Sequence, residues 1–123
     1  MHLIPADRAD QRIIDGEQVC EAIAALGDPV SVRTLAQHFA VLADPTRLAL
    51  LICIRAAGPI SVSDLAVATG LQDATVSQAL RYLRASQIVT AQRHGRVIRY
   101  QLTDHPVTAL LASYRDAPVR PMP

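Results

Sequence analysis

The order of local patterns in the middle of the chain limits the possible folds more than any other feature. Ser61 to Asp64 has the pattern of a helix capping box, and Gly70 fits the left-handed turn that ends a helix. Asp73 opens a second helix, and after Ser86 the apolar period changes from about 3.6 residues to about 2. Two helices joined by a glycine-containing turn within about two dozen residues predict a helix-turn-helix.

Two β-favouring segments follow the second of these helices. They cover residues 88–92 and 97–102, and residues 93–96 between them are typical of a hairpin tip. A helix can enter the major groove of DNA while an arginine-bearing hairpin reaches the neighbouring phosphates. The predicted fold class is therefore mainly α with a small β-hairpin wing (α+β), a winged helix-turn-helix.

Aspartates mark the starts of the other helices. Asp15 and Gly27 bound a first helix, and Asp-Pro pairs at 28–29 and 44–45 combine an N-cap with proline at the first helical position. Asp104 is predicted to cap the last helix. We predict a flexible arm at 1–14, one winged-helix domain at 15–116 with an extra N-terminal helix at 15–27, and a flexible tail at 117–123.

The sequence carries no signal for a membrane or for secretion. Its first residues lack a basic region followed by an apolar stretch, and no apolar run approaches the ~20 residues that span a bilayer. Cys20 and Cys53 are too few for a disulfide scaffold. We expect a cytoplasmic protein without a membrane partner. The chain contains no glycine-rich phosphate loop, nucleophile elbow or His-Glu-x-x-His motif, so an enzyme is not expected.

The charge distribution indicates a polyanionic partner although the net charge is only +1. Between Thr75 and Thr103 there are five arginines and no acidic residue. A solvated surface would usually mix both signs, whereas a stretch of one sign favours nucleic acid. The predicted partner is double-stranded DNA.

The predicted DNA contacts fall into two groups. On the second helix of the helix-turn-helix, short hydrogen-bonding side chains near the start suit base edges, and arginines further along suit phosphates. These residues are Gln72, Thr75, Ser77, Gln78, Arg81 and Arg84. At the hairpin, the predicted phosphate contacts are Arg93, His94 and Arg96. Arg99 lies on the following strand and is expected to pack sideways.

Four segments of the chain resemble those of a known family. Residues 42–51 include Asp-Pro-Thr-Arg-Leu, 62–66 read Val-Ser-Asp-Leu-Ala, 75–84 include Thr-Val-Ser-Gln, and 93–102 form the wing. In this order and spacing they resemble the ArsR/SmtB family of arsenic- and metal-responsive repressors, over about residues 32 to 112. One departure is Ala79, where members usually carry His, which puts the sequence preference in doubt and leaves the fold intact.

The resemblance implies a homodimer formed by the first and last helices of the core. Two apolar stripes exceed what a domain of this size needs for its own core, which is compatible with a dimer. The predicted interface residues are Val32, Leu35, Phe39, Val107, Leu110, Leu111 and Tyr114. A two-fold dimer would bind an imperfect palindrome, and the extra N-terminal helix would lengthen the interface.

The metal sites that the resemblance implies are incomplete here. Ser61 and Ser63 replace the thiolates of a Cys-x-Cys site, and a hydroxyl is a poor ligand for a soft metal. The family's Asp-x-His at the last helix becomes Asp104, His105 and Pro106, with Asp116 as the only distal ligand. A divalent transition metal ion is still a candidate effector, and its candidate ligands are Asp104, His105, Asp116 and Cys20.

Several alternatives stay open. Asp104 is sufficient as a helix cap without a metal, Cys53 can pack as a small hydrophobe, and His38 falls off the apolar stripe as a surface residue. The leading function is a repressor that leaves its operator when an effector binds. A redox-regulated or effector-independent regulator is the alternative, and so is a protein-interaction winged helix, although the latter would carry acidic residues on the recognition helix or wing.

Overall fold

The computed structural model, which describes residues 3–116, contains six α-helices and three strands in that part of the chain. A short 3-10 helix at Ala6–Arg8 precedes them. The α-helices are α1 (Gly16–Leu26), α2 (Pro29–Ala43), α3 (Pro45–Ala57), α4 (Val62–Thr69), α5 (Asp73–Ala85) and α6 (Pro106–Asp116). The strands are β1 (Ile60–Ser61), β2 (Val89–His94) and β3 (Val97–Leu102). The predicted class, mainly α with a small β wing, is confirmed.

The chain divides after Gln37 into two compact units. The first contains α1 and the first part of α2, and the second contains the remaining helices and all three strands. The predicted arm at 1–14 and the single domain at 15–116 stay predictions. The predicted tail at 117–123 lies outside the described residues.

Short polar side chains start the helices as the sequence predicts. Oδ1 of Asp15 accepts hydrogen bonds from the backbone N–H groups of Glu17 and Gln18, at 3.0 and 3.2 Å. Asp28 and Asp44 each accept one from the residue three positions on, at 2.8 and 3.1 Å. Ser61 does the same at the start of α4, at 3.2 Å. Each bond satisfies a backbone donor that has no partner inside its helix.

The start of α6 differs from the prediction that Asp104 caps it. The helix begins at Pro106, so His105 takes the N-cap position, and its Nδ1 accepts the N–H of Val107 at 3.0 Å. Thr108 completes the cap, because its Oγ1 accepts the N–H of His105 at 3.1 Å. Asp104 lies one residue too early, since proline at the first helical position fixes where the helix starts.

The ring of His105 also contacts His38, which the sequence indicated as a surface residue. The two ring centroids are 5.5 Å apart in an edge-to-face arrangement, and both residues are half-buried. Burial of His105, followed by the charge of His38, lowers the pKa of His105 below its ordinary value of 6.5. The neutral imidazole is the form that can accept a hydrogen bond at Nδ1, so the cap and the lowered pKa agree.

The core of the second unit lies between α3, α4, α5, the sheet and α6. Its buried side chains come from each of these elements, including Val89 of β2, which ties the helix-turn-helix to the strands. The largest fully enclosed side chains are Leu50, Leu51, Leu65, Val76, Leu80, Leu83, Ile88 and Val107. No buried side-chain nitrogen or oxygen within the described residues lacks a hydrogen-bond partner.

The three strands form one antiparallel sheet in the order β1-β3-β2. In the hairpin, Val89 is opposite Leu102 and His94 is opposite Val97, so the loop contains only Gly95 and Arg96. Gly95 has a φ of +66°, which a two-residue hairpin loop with glycine at its first position requires. The hairpin tip is therefore shorter than the predicted 93–96. Strand β1 was not predicted, because two residues are too few to show a period.

We expect the free energy of unfolding to decrease as the pH falls below about 6.5, the ordinary pKa of histidine. The folded pKa of His105 is lowered, so the unfolded chain binds the proton more readily and protonation favours unfolding. The stabilisation that neutral His105 provides is complete above the pKa that His105 has in the unfolded chain. It is lost as the pH falls through the pKa that His105 has in the folded protein. Urea unfolding at several pH values measures it.

The matched variant is His105→Asn, which keeps an N-cap acceptor but does not titrate in this range. The pH dependence of its stability should be weaker than that of the wild type. Equal pH dependence in the two proteins would show that His105 does not contribute.

Candidate nucleic-acid interface

Burial of one side of α5 determines which of its residues face outward. Val76, Leu80 and Leu83 are 0% exposed and follow one another at helical spacing. Thr75 and Gln78 lie off this buried side and are exposed. A helix whose apolar side is held by the core and whose other side carries hydroxyl and amide groups is suited to the major groove of DNA.

Gln72 stands at the N-cap position of α5. Its side chain is exposed and makes no capping hydrogen bond, so its amide is not used within the helix. In a helix-turn-helix, residues at the N-terminal end of the second helix approach the base edges. The position of Gln72 therefore agrees with its predicted role.

Ser77 differs from the prediction that it faces outward with its neighbours. It is half-buried, whereas Thr75 and Gln78 are exposed. The reason is helical geometry, because position 77 lies beside the buried Val76 and one turn before Leu80. The fully exposed hydrogen-bonding set at the start of α5 is thus Gln72, Thr75 and Gln78, and the DNA contact of the half-buried Ser77 stays a prediction.

Arg81 and Arg84 are both exposed in the later turns of α5. Arg84 borders an open groove of about 490 Å³, together with Gln87 and Thr103. Both arginines lie further along the helix than Gln72, away from the start of α5, where base contacts are expected. Phosphates are the more suitable partners for these two side chains.

The β2–β3 hairpin carries the remaining predicted contacts. Arg93, His94 and Arg96 are exposed at its end, whereas Arg99 is half-buried and lies opposite Gln92 and Ser61. Within residues 3–116, neither Arg93 nor Arg96 takes part in an ion pair. Their charge is therefore available to an anion from outside.

The residues predicted for the dimer interface divide into two sets. Val32, Leu35 and Phe39 are 42%, 49% and 51% exposed, and Tyr114 is 65% exposed. Leu110 is half-buried.

Val107 and Leu111 are only 0% and 3% exposed because they belong to the core of their own chain. These two residues have almost no surface left for a partner subunit. Their predicted place in the interface is corrected to core packing.

The candidate metal ligands do not form a cluster in the part of the chain that the structure describes. No group of three or more His, Cys, Asp or Glu side chains occurs there. Ser61 is occupied as a helix cap, and Nδ1 of His105 is occupied by the N–H of Val107. Asp104 is exposed, Cys20 is a free thiol in α1, and the side chain of Asp116 lies outside the described residues. The residues present therefore do not fit the metal sites that the resemblance implies.

Among the helices described between residues 3 and 116, none could span a lipid bilayer.

Comparison with known proteins gives a consistent result. The family model for winged helix-turn-helix DNA-binding domains matches residues 44–90, which span α3 to the start of the hairpin. The chain is 34% identical over 107 residues to the transcriptional repressor SmtB homolog of Synechocystis sp., covering 87% of this chain and 80% of that protein.

Two further proteins from mycobacteria extend the comparison. The chain is 40% identical over 84 residues to the transcriptional regulator NmtR of Mycobacterium tuberculosis, covering 68% and 69% of the two chains. A homodimeric winged helix-turn-helix DNA-binding domain of Mycobacterium bovis, described as a possible ArsR-family regulator, superposes with a TM-score of 0.60 at 28% identity, covering 71% and 80% of the two chains.

We expect the double variant Arg93→Ala, Arg96→Ala to bind DNA with a weaker salt dependence. Each phosphate neutralised contributes roughly 0.9 to the slope of log affinity against log salt, so four arginines in a dimer contribute about 3.6. A decrease of about two to four units is expected, with the preference for specific over random DNA retained. Binding titrations over a range of salt concentrations measure the slope.

The control is Arg8→Ala, Arg12→Ala, which removes the same charge from the N-terminal region. A slope that decreases equally in both double variants would attribute the effect to net charge alone. An unchanged slope in the hairpin variant would show that the wing does not contact DNA.

Proposed function

Because the chain belongs to the ArsR/SmtB family of winged helix-turn-helix transcriptional regulators, we propose that it is a homodimeric repressor that binds an imperfect palindromic operator. Family membership confirms the prediction of a DNA-binding regulator and of a non-enzymatic role. The observation that carries the proposal is the exposed polar side of α5 next to a basic hairpin. We place this activity in the cytoplasm, where the operator is.

In the proposed complex, α5 enters the major groove and the hairpin extends along the backbone. Gln72, Thr75 and Gln78 carry the donors and acceptors that base edges require. Arg81, Arg84 and the hairpin arginines supply charge that is independent of sequence. The absence of acidic residues from 75–103 supports this division and disfavours a protein-interaction role.

The proposed dimer brings two copies of α5 to successive major grooves. Half-sites about 34–36 Å apart correspond to one turn of DNA, and a two-fold dimer accounts for a palindrome. The exposed side chains Val32, Leu35 and Phe39 on α2, together with Leu110 and Tyr114 on α6, are the proposed apolar contacts. The homodimeric state of the M. bovis domain supports this part of the proposal.

The effector is the open part of this proposal. A divalent transition metal ion is one candidate, and the predicted ligands are Cys20, Asp104, His105 and Asp116, although these side chains do not complete the sites that the resemblance implies. A thiol switch is the other, since Cys20 and Cys53 are both free. Native mass spectrometry of the dimer with zinc, nickel and cobalt separates the two, because a thiol switch does not require a bound metal.

The test of the proposed function is the variant Thr75→Ala, Gln78→Ala. Loss of two base contacts per subunit should reduce the preference for the operator over random DNA at least tenfold, since a good base contact contributes about 1–3 kcal/mol. Competition binding assays with operator and random duplexes measure this ratio.

The matched control is Thr90→Ala, Gln101→Ala, which replaces the same two residue types. Both residues are exposed, and they lie opposite each other on β2 and β3. This control should keep the operator preference. Equal weakening on operator and random DNA in the α5 variant would contradict direct base reading.

A second variant, Leu35→Glu, tests the dimer. Leu35 is 49% exposed in one chain, so the charge should leave the monomer folded but should be buried without a partner in the dimer. Dimer affinity should fall at least about 100-fold, which corresponds to about 2.7 kcal/mol. Analytical ultracentrifugation measures the dissociation, and circular dichroism monitors the helices.

The control is Val67→Glu, which introduces the same charge at an 85% exposed position on α4 outside the proposed interface. It should stay dimeric. A Leu35→Glu protein that is still a dimer at micromolar concentration would place the interface elsewhere.

A further inference from the structure

An arginine outside both predicted groups of DNA contacts lies directly beside the exposed side of α5. Arg47 is in the first turn of α3, and its guanidinium carbon is 3.7 Å from the centre of the Tyr82 ring on α5. A cation over an aromatic face at this distance is attracted by the ring. The stack therefore favours one direction of the Arg47 side chain relative to α5.

Asp44 forms an ion pair with the same arginine. Its Oδ2 accepts the backbone N–H of Arg47 at 3.1 Å and lies 3.7 Å from Nε of the same residue. Within the described residues this is the one ion pair of Arg47, and it involves Nε. The terminal nitrogens of the guanidinium are thus not used in that pair.

The stack continues the outward stripe of α5. Thr75, Gln78 and Tyr82 are at positions i, i+3 and i+7, which place them on one side of the helix. A groove of about 300 Å³ is lined by these three residues together with Asp44, Thr46, Arg47 and Ala79. The guanidinium therefore borders the same groove as the two side chains proposed to read bases.

Stability alone gives little reason for this arrangement. The side chains of Arg47 and Asp44 are 30% and 43% exposed, and Tyr82 is 43% exposed. Exposed cation–π contacts and surface ion pairs each contribute only about 0–1 kcal/mol. What the cluster does provide is a guanidinium whose position is set in advance, and a planar guanidinium suits two oxygens of one phosphate.

We propose that Arg47 is a DNA-backbone contact, held by Tyr82 and Asp44 so that it binds a phosphate that flanks the bases read by α5. The proposal rests on the proposed function and adds a phosphate contact on α3. The negative charge of Asp44 opposes a phosphate at close range, but its Oδ2 is directed to the start of α3 and to Nε. The phosphate is therefore bound through the terminal nitrogens.

The main test is the salt dependence of operator binding by Arg47→Met. Loss of one phosphate contact per subunit should decrease the slope of log affinity against log salt by about 1.8 per dimer. If the variant and the wild type bind equally at 1 M salt, this difference in slope makes the variant bind about 30-fold more weakly than the wild type at 0.15 M. The ratio of operator to random binding should stay within about twofold of the wild type, because a phosphate carries no sequence information.

The charge-matched control is Arg55→Met, which removes an exposed arginine from the other end of α3. Its slope should stay near that of the wild type. A decrease of equal size in the two variants would overturn the proposal. A lower operator preference in Arg47→Met without a change of slope would also overturn it, because Arg47 would then only position α5.

Variants of Tyr82 test the stack separately. Tyr82→Phe keeps the aromatic face and should bind as the wild type does, whereas Tyr82→Leu should lose affinity severalfold on operator and random DNA alike. Wild-type affinity in Tyr82→Leu would overturn the role of the stack. Thermal unfolding of each variant monitors the fold.

Arg47→Lys keeps the proposal testable if Arg47→Met does not fold. Lysine retains the charge without the planar pair of donors, so most of the slope should persist while the affinity falls severalfold. Wild-type affinity in this variant would overturn the bidentate contact.

Failure of this inference can be distinguished from failure of the proposed function. If the wild-type protein itself shows no operator preference, the proposed function fails. If the wild-type protein prefers the operator and the slope is unchanged in the Arg47 variants, only this inference is refuted.

Discussion

Val76, Leu80 and Leu83 lie on one side of α5 and are enclosed by the core of the second unit. Each buried leucine that is truncated to alanine costs about 2–5 kcal/mol, a large part of the 5–15 kcal/mol that stabilises a typical domain. Rotation of α5 about its axis would expose these side chains, so the helix is held in one orientation. The outward direction of Thr75 and Gln78 is a consequence of this burial.

The wing depends on the same core in a different way. Val89 is buried at the start of the hairpin, and pairing continues from there to His94 and Val97 beside the loop. Pairing of β1 with β3 joins this stem to the start of α4. The arginines at the tip are therefore carried by a paired stem, so their charge acts at a defined position relative to α5.

Two contacts between distant parts of the sequence involve the first turn or the N-cap of a helix. His105 caps α6 and contacts His38 of α2, and Arg47 in the first turn of α3 stacks on Tyr82 of α5. In both cases a polar group near a helix start also contacts a neighbouring element. Neither pair could be predicted from the sequence, because no local pattern relates residues that meet only after the helices pack.

The sequence by itself determined the features that depend on residues close to one another along the chain. These are the aspartate and serine caps of α1, α2, α3 and α4, the glycine turn between α4 and α5, and the change to a hairpin with a basic tip. Local hydrogen bonds and backbone preferences are sufficient for these. Only the tertiary structure decided which apolar or polar residues are buried by other elements of the chain. Periodicity shows that α6 has an apolar side, but it cannot distinguish a side covered by the chain's own core from one left for a partner. Val107 and Leu111 are covered by the core and Tyr114 is not, because burial depends on which elements pack together in three dimensions.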